Sequence, residues 1–260
     1  MKDLKHLIYF ESLLENANNE LVQKAQAEGN LALGYTCYHV PEALLNVGNC
    51  FSVRLRAPHT GSIDIATYYM SNYTCEFARA LVERGIEGGY QFLDAMIGVD
   101  ACSMMNRAME HFEILKVNDK PNFFVTHCDI PYKITDYTLD SYVKQMRIHV
   151  LDKLTEVYGV DTSDAAIRQA VKEHNEVCSI ISEMAEMRKA ENPVITGYEF
   201  HVINLVSYTC PKALILPYLR ETLKELKKRK PDEKSPFRAR VAIVGSEIDD
   251  PQLTDRKSVV

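Results

Sequence analysis

The chain has 260 residues, 46% hydrophobic and 25% charged, with a formal net charge of −6. That length can bury a sizeable core, and the acidic balance argues against a nucleic-acid partner, which needs a basic face for phosphate. No apolar run approaches the roughly 20 residues of a membrane span, and the first residues lack a signal-peptide core, so a cytoplasmic protein is expected.

The first residues, MKDLKHLIYFESLLENANNE, place Leu4, Leu7, Ile8, Phe10, Leu13 and Leu14 for one face of an amphipathic helix. This predicts an N-terminal helix over 1–28. Next, NLALGYTCYHVPEALLNVG reads as a buried strand at 31–35, a loop, and a helix opening at Pro41, where a missing N–H costs nothing. Two more apolar runs of strand length follow at 91–99 and 121–128, separated by helical patterns at 75–84 and 103–115. Strands alternating with helices imply βαβ units and a parallel sheet, giving an α/β domain over 29–135.

From 136 to 230 the pattern is all helical. Tyr142, Met146, Val150, Leu154 and Val157 recur at helical spacing, then Ile167, Val171, His174, Cys178, Ile181 and Met184. Thr196 and Glu199 have capping-box spacing, and a last helix runs from Pro211 with a bend expected at Pro217. Its basic end, KELKKRK, suits the negative end of the helix dipole. KPDEKSPF at 230–237 is a linker by composition, and VAIV at 241–244 reads as a strand leading into a glycine turn. A lone buried strand has value only inside a sheet, so 237–260 is expected to be the truncated start of a second α/β domain.

The seven cysteines stand at 37, 50, 75, 102, 128, 178 and 210. An odd number at wide spacing, with no secretory signal, leaves buried thiols or metal ligands rather than disulfides. Two of them share a local setting. In MSNYTCEFARALVERG, Cys75 opens a helical pattern and Arg79 follows; in LDAMIGVDACSMMNRAMEHF, Cys102 follows a strand and Arg107 stands in the next helix. A helix N-terminus and a nearby arginine favour thiolate, the form an iron–sulfur cluster requires. Spacing alone does not define the site, and a structural thiol remains the alternative for each. Of the other cysteines, Cys37 reads as packing or lining, Cys128 as structural, Cys178 and Cys210 as core, and Cys50 has no evident partner. His39, His111, His127 and Asp129 are undecided, and THCD at 126–129 is too short to define a metal site. There is no dinucleotide fingerprint and no phosphate-binding loop for ATP.

Three segments, LGYTCYHVPEALLNVG, YTCEFARALVERGIEGGYQFLDAMIGVDACSMMNRAMEHF and ARVAIVGSEIDDP, together resemble the 2-hydroxyacyl-CoA dehydratase family, with its benzoyl-CoA reductase and double-cubane cluster relatives. The resemblance implies two flavodoxin-like α/β domains with helical additions, pairing with a second related subunit. It implies an oxygen-sensitive [4Fe-4S] cluster held by three cysteines, two of which match Cys75 and Cys102, while the third would lie in the second domain. It further implies an ATP-dependent activator protein and a 2-hydroxyacyl-CoA substrate dehydrated through a ketyl radical, as in anaerobic amino-acid fermentation. Tyr38 departs from the small hydroxyl residue several family members carry beside the first-motif cysteine, which suggests a modified pocket. A reductase subunit and an inactive scaffold are the competing expectations.

Overall fold

The computed structural model describes residues 3–58, 60–231, 241–245 and 248–254. Two short helices open it, α1 (Leu7–Leu14) and α2 (Glu20–Ala27), where the sequence pattern suggests one. The break is local chemistry: Asn19 Oδ1 accepts from the backbone N–H groups of Leu21 and Val22 and so starts a new helix.

Four strands form the sheet: β1 (Leu31–Tyr35), β2 (Cys50–Arg54), β3 (Ala95–Asp100) and β4 (Phe124–Asp129). Their order is β2-β1-β3-β4 and every pairing is parallel, with Leu33 opposite Ala95 and Ala95 opposite Phe124. This is the arrangement of a flavodoxin-like α/β domain, in which the chain reverses direction across the sheet between β1 and β3. The helix expected at Pro41 is instead a 3-10 turn, Glu42–Asn46. The chain must leave it at once to enter β2, and it does so through Gly48 at φ +61°, where a Cβ would meet Val160 Cγ1 at 2.9 Å and the Asp161 carbonyl oxygen at 3.0 Å.

Crossover helices cover both faces of the sheet. On one face, α3 (Asp64–Tyr69), α4 (Glu76–Ile86) and α5 (Ser103–Ile114) bury Ala66, Leu81, Val82 and Phe112. On the other lie the 3-10 turn, α6 (Asp136–Met146), a π-helical stretch (Arg147–Leu151) and α7 (Asp152–Tyr158), with Leu45, Val150 and Leu154 packed on Leu33, Tyr35 and Ile97. The first part of the expected helical segment is thus a layer of the α/β sandwich. Its remainder, α8 (Asp164–Met187), α9 (Gly197–Thr209) and α10 (Lys212–Lys228), builds a separate apolar core together with α1. α10 continues through Pro217.

Thr196 and Glu199 form the capping box that their spacing suggests: Glu199 N–H to Thr196 Oγ1 is 3.1 Å and Thr196 N–H to Glu199 Oε2 is 2.8 Å. Thr196→Ala is therefore expected to cost about 1 kcal/mol, read as a lower urea midpoint at unchanged slope. Residues 241–245 show no strand pairing, and Val241 and Val244 are 80% and 92% exposed. No neighbouring strand among the described residues lies beside them to make a buried strand worthwhile. Residues 232–237 of the expected linker, and 238–240, 246–247 and 255–260 beyond it, lie outside the described residues.

Candidate functional site

In a doubly wound sheet, sites form at the carboxyl ends of the strands, at the point where the strand order reverses. Both Cys75 and Cys102 occupy that edge. Cys102 is the N-cap of α5, two residues past the end of β3, and Cys75 is the N-cap of α4; both are exposed, and neither thiol caps its helix. The two helix starts are neighbours, since the Cys75 N–H points at Met104 Sδ, 3.2 Å away in the first turn of α5. Asn106 Nδ2 donates to Asp100 Oδ1, tying that turn back to the end of β3. Glu83, buried in α4, accepts from the Ala66 N–H at 2.7 Å and ties α3 to α4.

Both arginines are engaged by neighbouring side chains. Arg79 donates to Thr67 Oγ1 at 3.3 Å and Asn72 Oδ1 at 3.4 Å, bracing the segment that leads to Cys75. Arg107 pairs with Glu110 at 2.6 Å on the surface of α5. His111 is buried with Nε2 at 3.1 Å from the Tyr69 carbonyl, so it serves the α3–α5 contact. His39 is exposed.

The remaining thiols separate by burial. Burial pushes Cys50 up to about 12, Cys128 up to about 11 and Cys210 up to about 12, so all three stay protonated core residues near neutral pH. Cys37 is half-buried against the β1 side of the core. Cys178, expected in the core, is exposed instead, because the buried stripe of α8 runs through Val177 and Ile180 and turns residue 178 outward. The chemistry of Cys75 and Cys102 fits two ligands of an iron–sulfur cluster. Among the described residues, no group of three or more His, Cys, Asp and Glu side chains could hold a metal ion.

A second feature opens beside the carboxyl end of β1. A cleft of about 490 Å³ lies between the loop 38–43 and helices α8, α9 and α10. At its base is a charged cluster that sequence spacing does not bring together. Lys212, 3% exposed, holds Glu42 Oε1 at 2.6 Å and donates to the Ser207 carbonyl at 2.5 Å. Ser52 Oγ donates to the same carboxylate oxygen at 2.9 Å. Burial and the adjoining Glu42 carboxylate hold the Tyr35 phenol well above its ordinary range. Beside the cleft, the buried Arg54 guanidinium lies 5.1 Å from the Tyr38 ring and 5.5 Å from the Tyr208 ring. Tyr38, 58% exposed, meets the Tyr208 ring edge-on and contributes one of the two rings beside the Arg54 cation.

Most of the chain is similar to known proteins. A family model described as 2-hydroxyglutaryl-CoA dehydratase, D-component, matches residues 37–258. The chain is 18% identical to the (R)-phenyllactyl-CoA dehydratase beta subunit of Clostridium sporogenes over 93% of its length, and 21% identical to the beta subunit of (R)-2-hydroxyglutaryl-CoA dehydratase of Acidaminococcus fermentans over 79%. It is 19% identical to a benzoyl-CoA reductase subunit of Thauera aromatica over 87%. These alignments span 62%, 54% and 58% of the three relatives' own lengths. Among the described residues, no helix is long and apolar enough to cross a membrane.

Proposed function

The chain belongs to the 2-hydroxyglutaryl-CoA dehydratase, D-component family, and from that premise we propose that it acts within a 2-hydroxyacyl-CoA dehydratase as one of its subunits, with Cys75 and Cys102 as two ligands of a [4Fe-4S] cluster. One observation carries the assignment: two exposed thiols sit at adjoining helix starts on the carboxyl edge of one parallel sheet. When bound, such a cluster supplies a low-potential electron and a Lewis-acidic iron for the thioester carbonyl. The chain's own part is positional. Arg79 fixes the approach to Cys75, Asn106 fixes the turn that carries Cys102, and Glu83 locks α3 to α4 so that the thiols keep their places. Further thiolate ligands, a second related subunit and an ATP-dependent activator complete this reading, and water is lost from the 2-hydroxyacyl-CoA.

The test is iron and acid-labile sulfide in protein purified without oxygen. Cys75→Ser and Cys102→Ser are each expected to reduce both to background with the helical circular dichroism unchanged. Iron retained in both variants would overturn the assignment. The similarity to a benzoyl-CoA reductase subunit favours a second reading, a reductase using the same two thiols. Assays with activator separate the two, since a dehydratase releases an enoyl-CoA and a reductase consumes two electrons per ring reduced. A cluster-free scaffold is the third outcome, marked by wild-type protein that binds no iron.

A further inference from the structure

We propose that Cys178 is a nucleophile with His174 as its base in the cleft beside β1, and that it accepts acyl groups from acyl thioesters. The choice of acyl thioester rests on the reading above; the nucleophile itself rests on geometry alone. His174 and Cys178 are four residues apart and share one face of α8. Cys178 Sγ lies 3.4 Å from His174 Nε2, within the longer reach of a sulfur hydrogen bond. On the other side of the ring, His174 Nδ1 lies 3.7 Å from Glu42 Oε2, beyond hydrogen-bond reach, and that buried nitrogen has no hydrogen-bond partner among the described residues. Thiol and imidazole thus stand as a nucleophile and its base, with a carboxylate nearby on the far side of the ring.

The proton positions follow from the donors. A thiol that donates to Nε2 requires that nitrogen bare, which puts the ring proton on Nδ1, without a hydrogen-bond partner among the described residues. The carboxylate is held by Lys212, Ser52 and the Tyr35 phenol. Burial lowers the His174 pKa, opposed by Glu42 and helped by Lys212, so the ring is neutral and able to accept a proton near pH 7. Burial raises the Cys178 pKa, so the thiol keeps its proton until the ring takes it. Val40, Val177 and Ile181 give the cleft apolar walls for an acyl chain, and Ser182 and Asn204 line it as polar groups.

The step balances without an oxidant or reductant. As Sγ attacks the thioester carbonyl carbon, His174 Nε2 takes the thiol proton. The tetrahedral adduct then collapses with cleavage of the original C–S bond, and the departing thiolate takes the proton back from His174. One thiol and one thioester enter, and one thiol and one thioester leave.

Two probes on the full chain test this, read by peptide mass spectrometry at each cysteine. With iodoacetamide at pH 7.5, alkylation of Cys178 is expected to be roughly tenfold or more faster than in His174→Gln. The wild-type rate should also rise through the imidazole titration below neutral pH, an inflection that the variant lacks. With butyryl-CoA, an acyl increment removable by hydroxylamine is expected on Cys178 and absent from Cys178→Ser. Equal alkylation rates and equal pH profiles in wild type and His174→Gln would overturn the nucleophile. Fast alkylation with no butyryl adduct would overturn the acyl-thioester assignment. Iron content, measured on the same preparations, responds to Cys75 and Cys102, so loss of the cluster reading shows separately.

Discussion

Lys212→Met is expected to destabilise the chain by about 3–5 kcal/mol, because it leaves a buried carboxylate without its cation. Lys212 is 3% exposed and Glu42 13% exposed, with 2.6 Å between them. Methionine fills the same volume and keeps the apolar contacts of the stem, so the loss isolates the charge. The residual exposure of Glu42 and the hydroxyl of Ser52 place the value toward the lower end of that range. The double variant Lys212→Met, Glu42→Gln removes both charges and is expected to recover most of the loss. Urea unfolding of wild type, both single variants and the double measures the coupling. A double variant no more stable than Lys212→Met would show that the ion pair is not the source of the effect.

The second large effect is expected at Arg54, 1% exposed at the end of β2. Its Nη2 donates to Asp249 Oδ1 at 2.7 Å, and its guanidinium lies against Tyr38 and Tyr208. Arg56 Nη2 donates to the Asp249 carbonyl at 2.6 Å, and His201 contacts the Ile248 carbonyl at 2.8 Å and Thr254 Oγ1 at 2.9 Å. Arg54→Met should therefore cost about 3–5 kcal/mol and also loosen the segment 248–254. Faster amide exchange confined to 248–254 would report the release directly. Arg54→Lys is expected to rescue little, since an ammonium cannot reproduce the flat guanidinium that lies beside both rings while reaching Asp249. Wild-type exchange in the variant would mean that Asp249 is held without Arg54.

Much of this structure is legible along the chain, where neighbours in sequence are neighbours in space. The buried runs that become β1, β3 and β4, the long stripe of α8 and the Thr196–Glu199 box are all local signals. The two cysteines are legible for the same reason, because a thiol just past a strand or at the head of a helix marks the carboxyl edge. β2 is hidden by Ser52 and Arg54: a polar residue and a cation do not read as a buried strand until Asn46, Glu42 and Asp249 arrive to satisfy them. The Glu42–Lys212 pair joins the loop after β1 to the start of α10, and no periodicity connects those positions. His174 and Cys178 carry a visible four-residue spacing, but the apolar neighbours Val171 and Ile181 make it look like core.

The partnership of α1 with α9 and α10 has a consequence for how the chain is made. Leu7, Phe10 and Leu13 share a core with Val202, Val206, Leu219 and Leu226, and Lys5 pairs with Glu221 at 3.0 Å. As the chain leaves the ribosome, α1 thus has its packing partners some two hundred positions downstream. At about 5–20 residues per second, its apolar face waits roughly 10–40 s for them. During that interval the nascent chain presents an unsatisfied greasy stripe, a natural hold for a chaperone and an early point of aggregation when synthesis stalls.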